Sequence, residues 1–376
     1  MPTVQLQGTS QLTSLHAWNL LQVLSQALFA DLCFKPPALI FQRHLRQVTC
    51  HPISMAPKSE ECDLYLSIYL LTIITGFPTN LLALWALIKK LKTKATPNCV
   101  LLLNLTLSDL CFLSFLPFKA VEAIAGHWPL PAVLCPLSGL LYFSTIYSST
   151  LFLTAVSVER YLGVAYPIHY KLRRHSAHAV IASLGLWACS FAHCSIVFIT
   201  EFHEANYSNG SNVCYDLFTP GQLDLLLPAR LELGIVLFLV PSLITSFCYC
   251  GFMKIVISSP HICRTKKQRA VGLVAATLAV FIICFTPYNV SHFVGFIEWE
   301  NPDWRDKALL FSTLNASLDP IIFYFSSTAV QNSCWGFLTQ VKRVCTLSPL
   351  VQKFFCKETK KLRIASTQEP VCCSKL

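Results

Sequence analysis

Seven long apolar stretches divide the chain. They cover roughly residues 66 to 88, 99 to 118, 133 to 158, 179 to 200, 227 to 257, 270 to 297 and 308 to 326. Each is close to or above the roughly 20 residues that a helix needs to cross a bilayer. Because lipid offers no hydrogen-bond partners to the backbone, such stretches must be helical. The pattern therefore predicts an all-α membrane protein, a bundle of seven transmembrane helices.

Composition agrees with this interpretation. Of the 376 residues, 54% are hydrophobic and 13% are charged, whereas soluble domains carry about 25% charged residues. The net charge of +10 does not indicate a nucleic-acid partner, because the basic residues lie in short clusters between apolar stretches. The composition also excludes collagen-like and low-complexity chains.

The charged links between the helices predict the orientation. Basic residues concentrate in the links after helix 1, after helix 3 and before helix 6: Lys89, Lys90, Lys92, Lys94, Arg160, Lys171, Arg173, Arg174, Lys254, Arg264, Lys266, Lys267 and Arg269. That side is expected to be cytoplasmic, which places the N-terminus outside the cell in a multi-pass plasma membrane protein. Asn206 and Asn209 begin sequons in the link between helices 4 and 5, where glycosylation can then occur.

The remaining segments flank the seven-helix domain, which we assign to residues 66–326. Residues 1–54 show no core pattern and are expected to be disordered or to come from an alternative start, and residues 55–65 form an extracellular tail. After helix 7 we expect a short amphipathic helix at 327–343 and a cytoplasmic tail at 344–376.

Two carboxylates lie inside predicted spans, where charge is costly and therefore marks function. Asp109 in helix 2 and Asp319 in helix 7 are each flanked by apolar residues. With Ser149 and Asn315 they could form one hydrated cluster that holds a sodium ion or a single proton. The alternative is two carboxyl groups with separate hydrogen-bond partners.

Two further features stand at opposite ends of helix 3. Cys135 at one end and Cys214 in the longest outer link lie in an oxidising compartment and form a plausible disulfide, although Cys50 and Cys62 are competing partners. At the other end stands Glu159-Arg160-Tyr161, whose arginine could also be a simple interfacial residue.

Together these features resemble the rhodopsin-like (class A) G-protein-coupled receptors. The match covers about residues 65 to 343 and includes the 25-residue spacing from Cys135 to Arg160 and several helix markers: Asn80, Asp109, Trp187, Pro241 with Tyr249, and Pro287. The resemblance implies the Cys135–Cys214 disulfide, activation through Glu159, Arg160, Tyr161 and Tyr249, and heterotrimeric G proteins and arrestin as partners.

The chain departs from the pattern of that family at three places. Helix 7 carries Asp319 and Phe323 where most members have an asparagine and a tyrosine, and Phe285 replaces the usual tryptophan before the proline of helix 6. Lys267 stands where an acidic partner for Arg160 is often found. An inactive-state salt bridge of the usual kind is therefore not expected.

The outer halves of the helices narrow the ligand class. Helix 7 has no lysine for a retinal Schiff base, and Tyr142 stands where amine receptors place an aspartate. Basic and polar residues with donor groups lie at one level instead: Arg230, Arg305, Tyr288, His292 and His193. Arginine offers a planar set of donors that suits a carboxylate. The alternative is that each arginine pairs with an acidic loop residue, namely Asp216, Glu298, Asp303 or Asp306.

Longer stretches resemble the free fatty acid receptors, and most closely the short-chain members: residues 159–165, 222–224, 228–233, 287–292 and 314–320. The resemblance implies activation by acetate, propionate or butyrate, captured by Arg230 and Arg305 with His292 and Tyr288. It also implies that His193 influences chain length, that signalling runs through Gi/o and Gq/11, and that translation begins near Met55. Asp216 replaces a glutamate that this family often carries.

The resulting prediction is a receptor and not an enzyme, with no cofactor except a possible allosteric sodium ion. Runner-up functions are a receptor of the same fold for a longer fatty acid, a nucleotide or another small carboxylate, and a small-anion transporter. A transporter is expected to show paired repeats or interrupted helices, which seven unlike spans do not suggest.

Overall fold

The computed structural model describes residues 59–173, 175–202, 214, 218–328, 330–336 and 339. Within these ranges seven helices are long and apolar enough to cross a membrane. They are α1 (Ser59–Thr93), α2 (Pro97–Ala125), α3 (Leu134–Ala165), α4 (Ser176–Thr200), α5 (Pro220–Ser258), α6 (Arg264–Glu298) and α7 (Arg305–Ser326). The predicted seven-helix bundle is confirmed, and the described residues contain no strand.

Helix ends follow local chemistry rather than hydropathy. Thr96 caps α2 by accepting a hydrogen bond from the backbone N–H of Cys99, and Gly126 ends that helix at a positive φ of 68°. Thr219 and Gln222 form a reciprocal capping box at the start of α5. The helices α2 and α5 therefore include polar first turns, which precede the apolar stretches used to predict the spans. The helix α1 also begins outside its apolar stretch, at Ser59, inside the predicted tail 55–65.

The helices α5 and α6 each contain a π-helical turn shortly before a proline, Pro241 or Pro287. Residues Gly234–Leu239 precede the proline of α5, and Phe281–Phe285 precede the proline of α6. Proline lacks the N–H of a regular helix and collides with the preceding turn. A π-helical turn is one residue wider than an α-helical turn, so its backbone hydrogen bonds join residues five apart instead of four.

Buried polar side chains tie the helices together. Asn80 in α1 donates to the carbonyl of Ala316 in α7 at 2.7 Å, and Trp187 in α4 donates to Asn104 in α2 at 3.1 Å. The helix α3 is the central element, since 83% of its most apolar stretch is buried, against 22% for α4. Polar groups on α3 are therefore shielded from lipid and available for internal contacts.

The chain continues as helix after α7, at residues 328, 330–336 and 339, inside the predicted amphipathic segment 327–343. A short helix, Pro167–Arg173, connects α3 to α4. The predicted extension 1–54, the tail 344–376 and both sequons, Asn206 and Asn209, lie outside the described residues.

Candidate functional site

A small cavity opens between α3, α4, α5, α6 and α7, in the half of the bundle that contains Cys135. Its walls are formed by Phe143, Tyr147, Cys194, Ile196, Val197, Leu226, Arg230, Leu233, Tyr288, His292 and Arg305. Four of the five predicted ligand-binding residues therefore meet in one place. The wall combines apolar side chains with a few polar groups, as small-molecule sites commonly do.

Arg230 reaches the cavity from α5 and is only 3% exposed. Its Nη1 donates to Oδ1 of Asn301 at 2.8 Å, and its guanidinium carbon lies 5.0 Å from the ring centroid of Phe218. The arginine is thus held between two segments outside the helices. Burying a guanidinium is costly unless it is hydrogen-bonded or paired.

Arg305 enters from the first turn of α7 and is 2% exposed. Its Nη1 bonds Oδ1 of Asp306 at 3.0 Å, and its Nη2 donates to the hydroxyl of Tyr288 at 3.3 Å. Arg305 therefore pairs with a neighbouring acid, as one of the two hypotheses expected, and it also lines the cavity. Its binding of a carboxylate ligand stays a prediction. The two cationic groups give the cavity a chemical preference for anions.

His292 and Tyr288 occupy one face of α6, with ring centroids 4.5 Å apart. Nε2 of His292 lies 3.0 Å from the hydroxyl of Tyr147 in α3, and this hydroxyl also donates to Asn289 at 3.3 Å. Nδ1 of His292 is buried and makes no hydrogen bond within the described part of the chain. A ligand that enters the cavity would find a histidine with an unused ring nitrogen.

Sequence reasoning missed Tyr147 and Asn301. The signal for Tyr147 was its helical spacing, since it follows Phe143 by four residues and so shares a face of α3 with another wall residue. Asn301 lies in a link whose path cannot be derived from periodicity. Only the folded structure places it against Arg230.

His193 lies beside the cavity rather than in its wall. Its Nδ1 contacts Oε1 of Glu232 in α5 at 2.9 Å, and both side chains are partly exposed. The neighbouring residues Cys194 and Val197 turn inward to line the cavity. Any effect of His193 on the ligand must therefore act through the packing of α4 against α5.

A disulfide joins Cys135 to Cys214 with a Cα–Cα distance of 5.6 Å. Cys62, considered above as a competing partner, is in a different disulfide. Glu122 of α2 reinforces the tether, because Oε1 accepts the backbone N–H of Cys214 at 2.7 Å and Oε2 pairs with Lys119 at 2.8 Å.

The predicted polar cluster lies deeper in the bundle. Asp109, Ser149, Asn315 and Asp319 are all at most 2% exposed. Asp109 and Asp319 are close enough to interact electrostatically. None of their four carboxyl oxygens has a hydrogen-bond partner of normal geometry among the described residues.

Arg160, at the far end of α3, contacts α7. Its Nη2 donates to both the carbonyl and the hydroxyl oxygen of Ser326 at 2.5 Å. Lys267 donates instead to the carbonyl of Ile257 at 2.7 Å, and Glu159 accepts a hydrogen bond from Tyr170. Ser326 of α7 therefore contacts the guanidinium of Arg160.

Two tyrosines complete this end of the bundle. The hydroxyl of Tyr249 in α5 lies 3.2 Å from that of Thr277 in α6 and is buried. Tyr161 packs on Gly251, where an added Cβ would lie 2.5 Å from its ring. Both contacts join α5 to its neighbours close to Arg160.

Comparison with known proteins agrees with this geometry. Residues 79–323 match the family described as 7 transmembrane receptor (rhodopsin family). Free fatty acid receptor 3 of Mus musculus is 46% identical over 310 residues, which cover 82% of this chain and 95% of the relative. The chain belongs to the free fatty acid receptor family.

Other members show similar values. Free fatty acid receptor 2 of Rattus norvegicus is 48% identical over 276 residues, covering 72% of this chain and 84% of the relative. Free fatty acid receptor 1 of Macaca fascicularis is 34% identical over 277 residues, with coverages of 69% and 90%. The chain is thus a multi-pass plasma membrane receptor and not an enzyme.

Proposed function

We propose that this receptor is activated by short-chain fatty acids, namely acetate, propionate and butyrate, and signals through Gi/o and Gq/11 proteins. The observation that carries the proposal is the convergence of Arg230 and Arg305 on one small cavity. Arginine can offer parallel N–H donors to a carboxylate, and such charge-assisted bonds are shorter and stronger than neutral ones. The names of the related receptors support a fatty acid as the ligand class.

The dimensions of the cavity favour a short chain. The cavity volume is about 20 Å³ for the centre of a water-sized sphere, far below the roughly 300–1,000 Å³ of typical ligand sites. The apolar wall, with Phe143, Val197 and Leu233, suits contact with a short hydrocarbon chain beside the carboxylate. We assign His193 an indirect influence on chain length, exerted through Cys194 and Val197.

Binding should be weak. A ligand of about four to six heavy atoms reaches at most about 1.5 kcal/mol per atom, roughly 6–9 kcal/mol in all. This corresponds to a dissociation constant of about micromolar at best. Each bond to an arginine contributes about 1.5–3 kcal/mol, so the two guanidinium groups supply most of the binding free energy.

Activation is then a shift of population. A carboxylate that bridges Arg230 and Arg305 favours a contracted arrangement of α5, α6 and α7 around the cavity. The π-helical turn of α6 lies between the cavity and the Arg160 end, and it is the element that transmits the change. The ligand can shift the equilibrium only by its differential affinity for the two states.

The orientation of the chain follows the positive-inside rule. We place the Arg160 end in the cytoplasm, where G proteins and arrestin bind, and the N-terminus, the Cys135–Cys214 disulfide and the sequons outside.

The polar cluster is proposed as an allosteric site for a sodium ion or a shared proton. Two adjacent carboxyl groups in a low-dielectric interior cannot both be ionised at low cost. Their four oxygens without hydrogen-bond partners of normal geometry are suitable ligands for a hard cation. Asp109 and Asp319 would bind the ion, with Ser149 and Asn315 beside them.

The direct experiment is a panel of unbranched saturated acids of two to twelve carbons, tested on cells that express the receptor. Calcium release and inhibition of cyclic AMP formation report the two G-protein classes. We expect the highest potency between two and four carbons. A potency that rises steadily to twelve carbons would assign the receptor to longer fatty acids instead.

A further inference from the structure

The link between α6 and α7 folds back across the start of α5. Trp299, which follows α6, adopts a left-handed conformation with φ of 57°, the one positive φ among the described non-glycine residues. Its indole N–H donates to Oδ1 of Asp224 in α5 at 3.1 Å. A bulky residue adopts this backbone conformation only when its surroundings impose it.

Because Gly295 has no side chain, this link can pack closely against α6. A Cβ at this position would lie 3.0 Å from the carbonyl oxygen of Glu300 and 3.2 Å from Cδ of Pro302. The backbone N–H of Glu300 bonds the carbonyl of Gly295 at 3.2 Å. The residues on both sides of Asn301 are therefore packed directly against the helix, which fixes the position of Asn301.

From this position Asn301 contacts Arg230. Its Oδ1 accepts from Nη1 at 2.8 Å, and because arginine has only donors, the oxygen of the amide must face the guanidinium. Phe218 lies 5.0 Å from the guanidinium carbon, so the group is contacted from two loops. An asparagine oxygen has the geometry of one carboxylate oxygen without the negative charge.

We propose that Asn301 is a positioning residue for ligand recognition: it orients the guanidinium of Arg230 toward the cavity through a neutral amide oxygen, which does not itself neutralise the cation that a carboxylate would bind. The neutrality of the amide is essential, because an acid at the same place would compete with the ligand for the same cation. The inference rests on the proposed function, since it assumes that a carboxylate ligand binds Arg230.

The test compares propionate potency for Asn301→Ser, Asn301→Ala and Asn301→Asp with the parent, at matched surface expression. Asp303→Asn is the control, because this exposed residue of the same link changes the charge of the loop by one unit without contacting the guanidinium. We expect Ala to lower potency roughly tenfold, as loss of a bond to a charged group does. Ser should lower it less, Asp should lower it most, and the control should remain within about twofold of the parent.

The aspartate variant separates positioning from simple shape. Aspartate is nearly identical in shape to asparagine, so a purely structural role predicts that Asn301→Asp stays nearest to the parent. That order, or an Asn301→Ala receptor with parental potency, would overturn the proposal. Propionamide on the parent receptor tests the proposed function separately. An amide as potent as propionate would contradict the proposal that the ligand is a carboxylate, whatever the results for the Asn301 variants.

Discussion

Arg230 and Arg305 carry the same charged group in different surroundings. Arg230 contacts the neutral amide of Asn301 and the ring of Phe218, whereas Arg305 bonds the carboxylate of Asp306 and the hydroxyl of Tyr288. Asp306 is half-exposed, so water screens part of its attraction to Arg305. Both guanidinium groups also line the cavity, where a carboxylate ligand would meet them.

Replacing either arginine by alanine should abolish the response to propionate at normal surface expression, because one carboxylate–arginine interaction supplies a large part of a small binding free energy. Lysine should rescue poorly, since it lacks the planar pair of donors. Dose–response curves with surface labelling measure both effects. Lys307→Ala, an exposed cation in the same turn of α7, is the control and should respond like the parent. A full response from Arg230→Ala or Arg305→Ala would contradict the assignment of that residue.

The hydroxyl of Tyr147 should contribute by fixing the ring of His292. Tyr147→Phe removes the 3.0 Å contact with Nε2 of His292, and loss of such a bond costs about 0.5–1.5 kcal/mol. We expect propionate potency to fall by about two- to tenfold. Tyr142→Phe is the matched control: its hydroxyl is also buried and lies 3.2 Å from that of Thr313, and Tyr142 is not one of the residues that form the cavity wall. Equal losses in the two variants would indicate general destabilisation rather than a role at the site.

At the scale of the helices, the contact of α2 with α7 brings two buried carboxyl groups together. Asp109 and Asp319 interact electrostatically there, and α7 is interrupted at Leu314, directly before Asn315. A cation that binds the closed bundle better than the open one lowers agonist potency.

Replacing sodium by N-methylglucamine in the medium should therefore raise propionate potency in the parent by about fivefold or more. The Asp109→Asn receptor should lose this dependence, while Asp319→Asn should keep signalling because one carboxyl group remains. Asp303→Asn, at the surface, should behave as the parent does. If parental potency ignores sodium, the cluster does not hold this cation, and the shared proton remains the alternative.

At the scale of the whole molecule, apolar length alone predicts the seven helices, because the bilayer fixes how long an apolar helix must be. It does not predict that α1 begins at Ser59, since polar turns outside lipid carry no hydropathy signal. Proline indicates where α5 and α6 are disturbed, but not that the disturbance is a π-helical turn.

The candidate site also has a part that the sequence predicts and a part that only the structure shows. Residue type and level along the helices bring Arg230, Arg305, Tyr288 and His292 together, and the structure confirms that they line one cavity. The contacts that position them come from a different helix or from loops, as with Tyr147 and Asn301, and depend on tertiary packing. Likewise, Lys267 predicts the absence of the usual partner for Arg160, but only the structure shows Ser326 in contact with it.

The central claim is that this receptor recognises a carboxylate. The most direct measurement compares propionate with propionamide on the parent receptor, since the two are nearly identical in shape and differ in charge. Two buried arginines in the cavity predict that the neutral amide loses most or all activity, by at least about a hundredfold in potency if two charge-assisted bonds are weakened. Equal potency of propionamide and propionate would contradict the account.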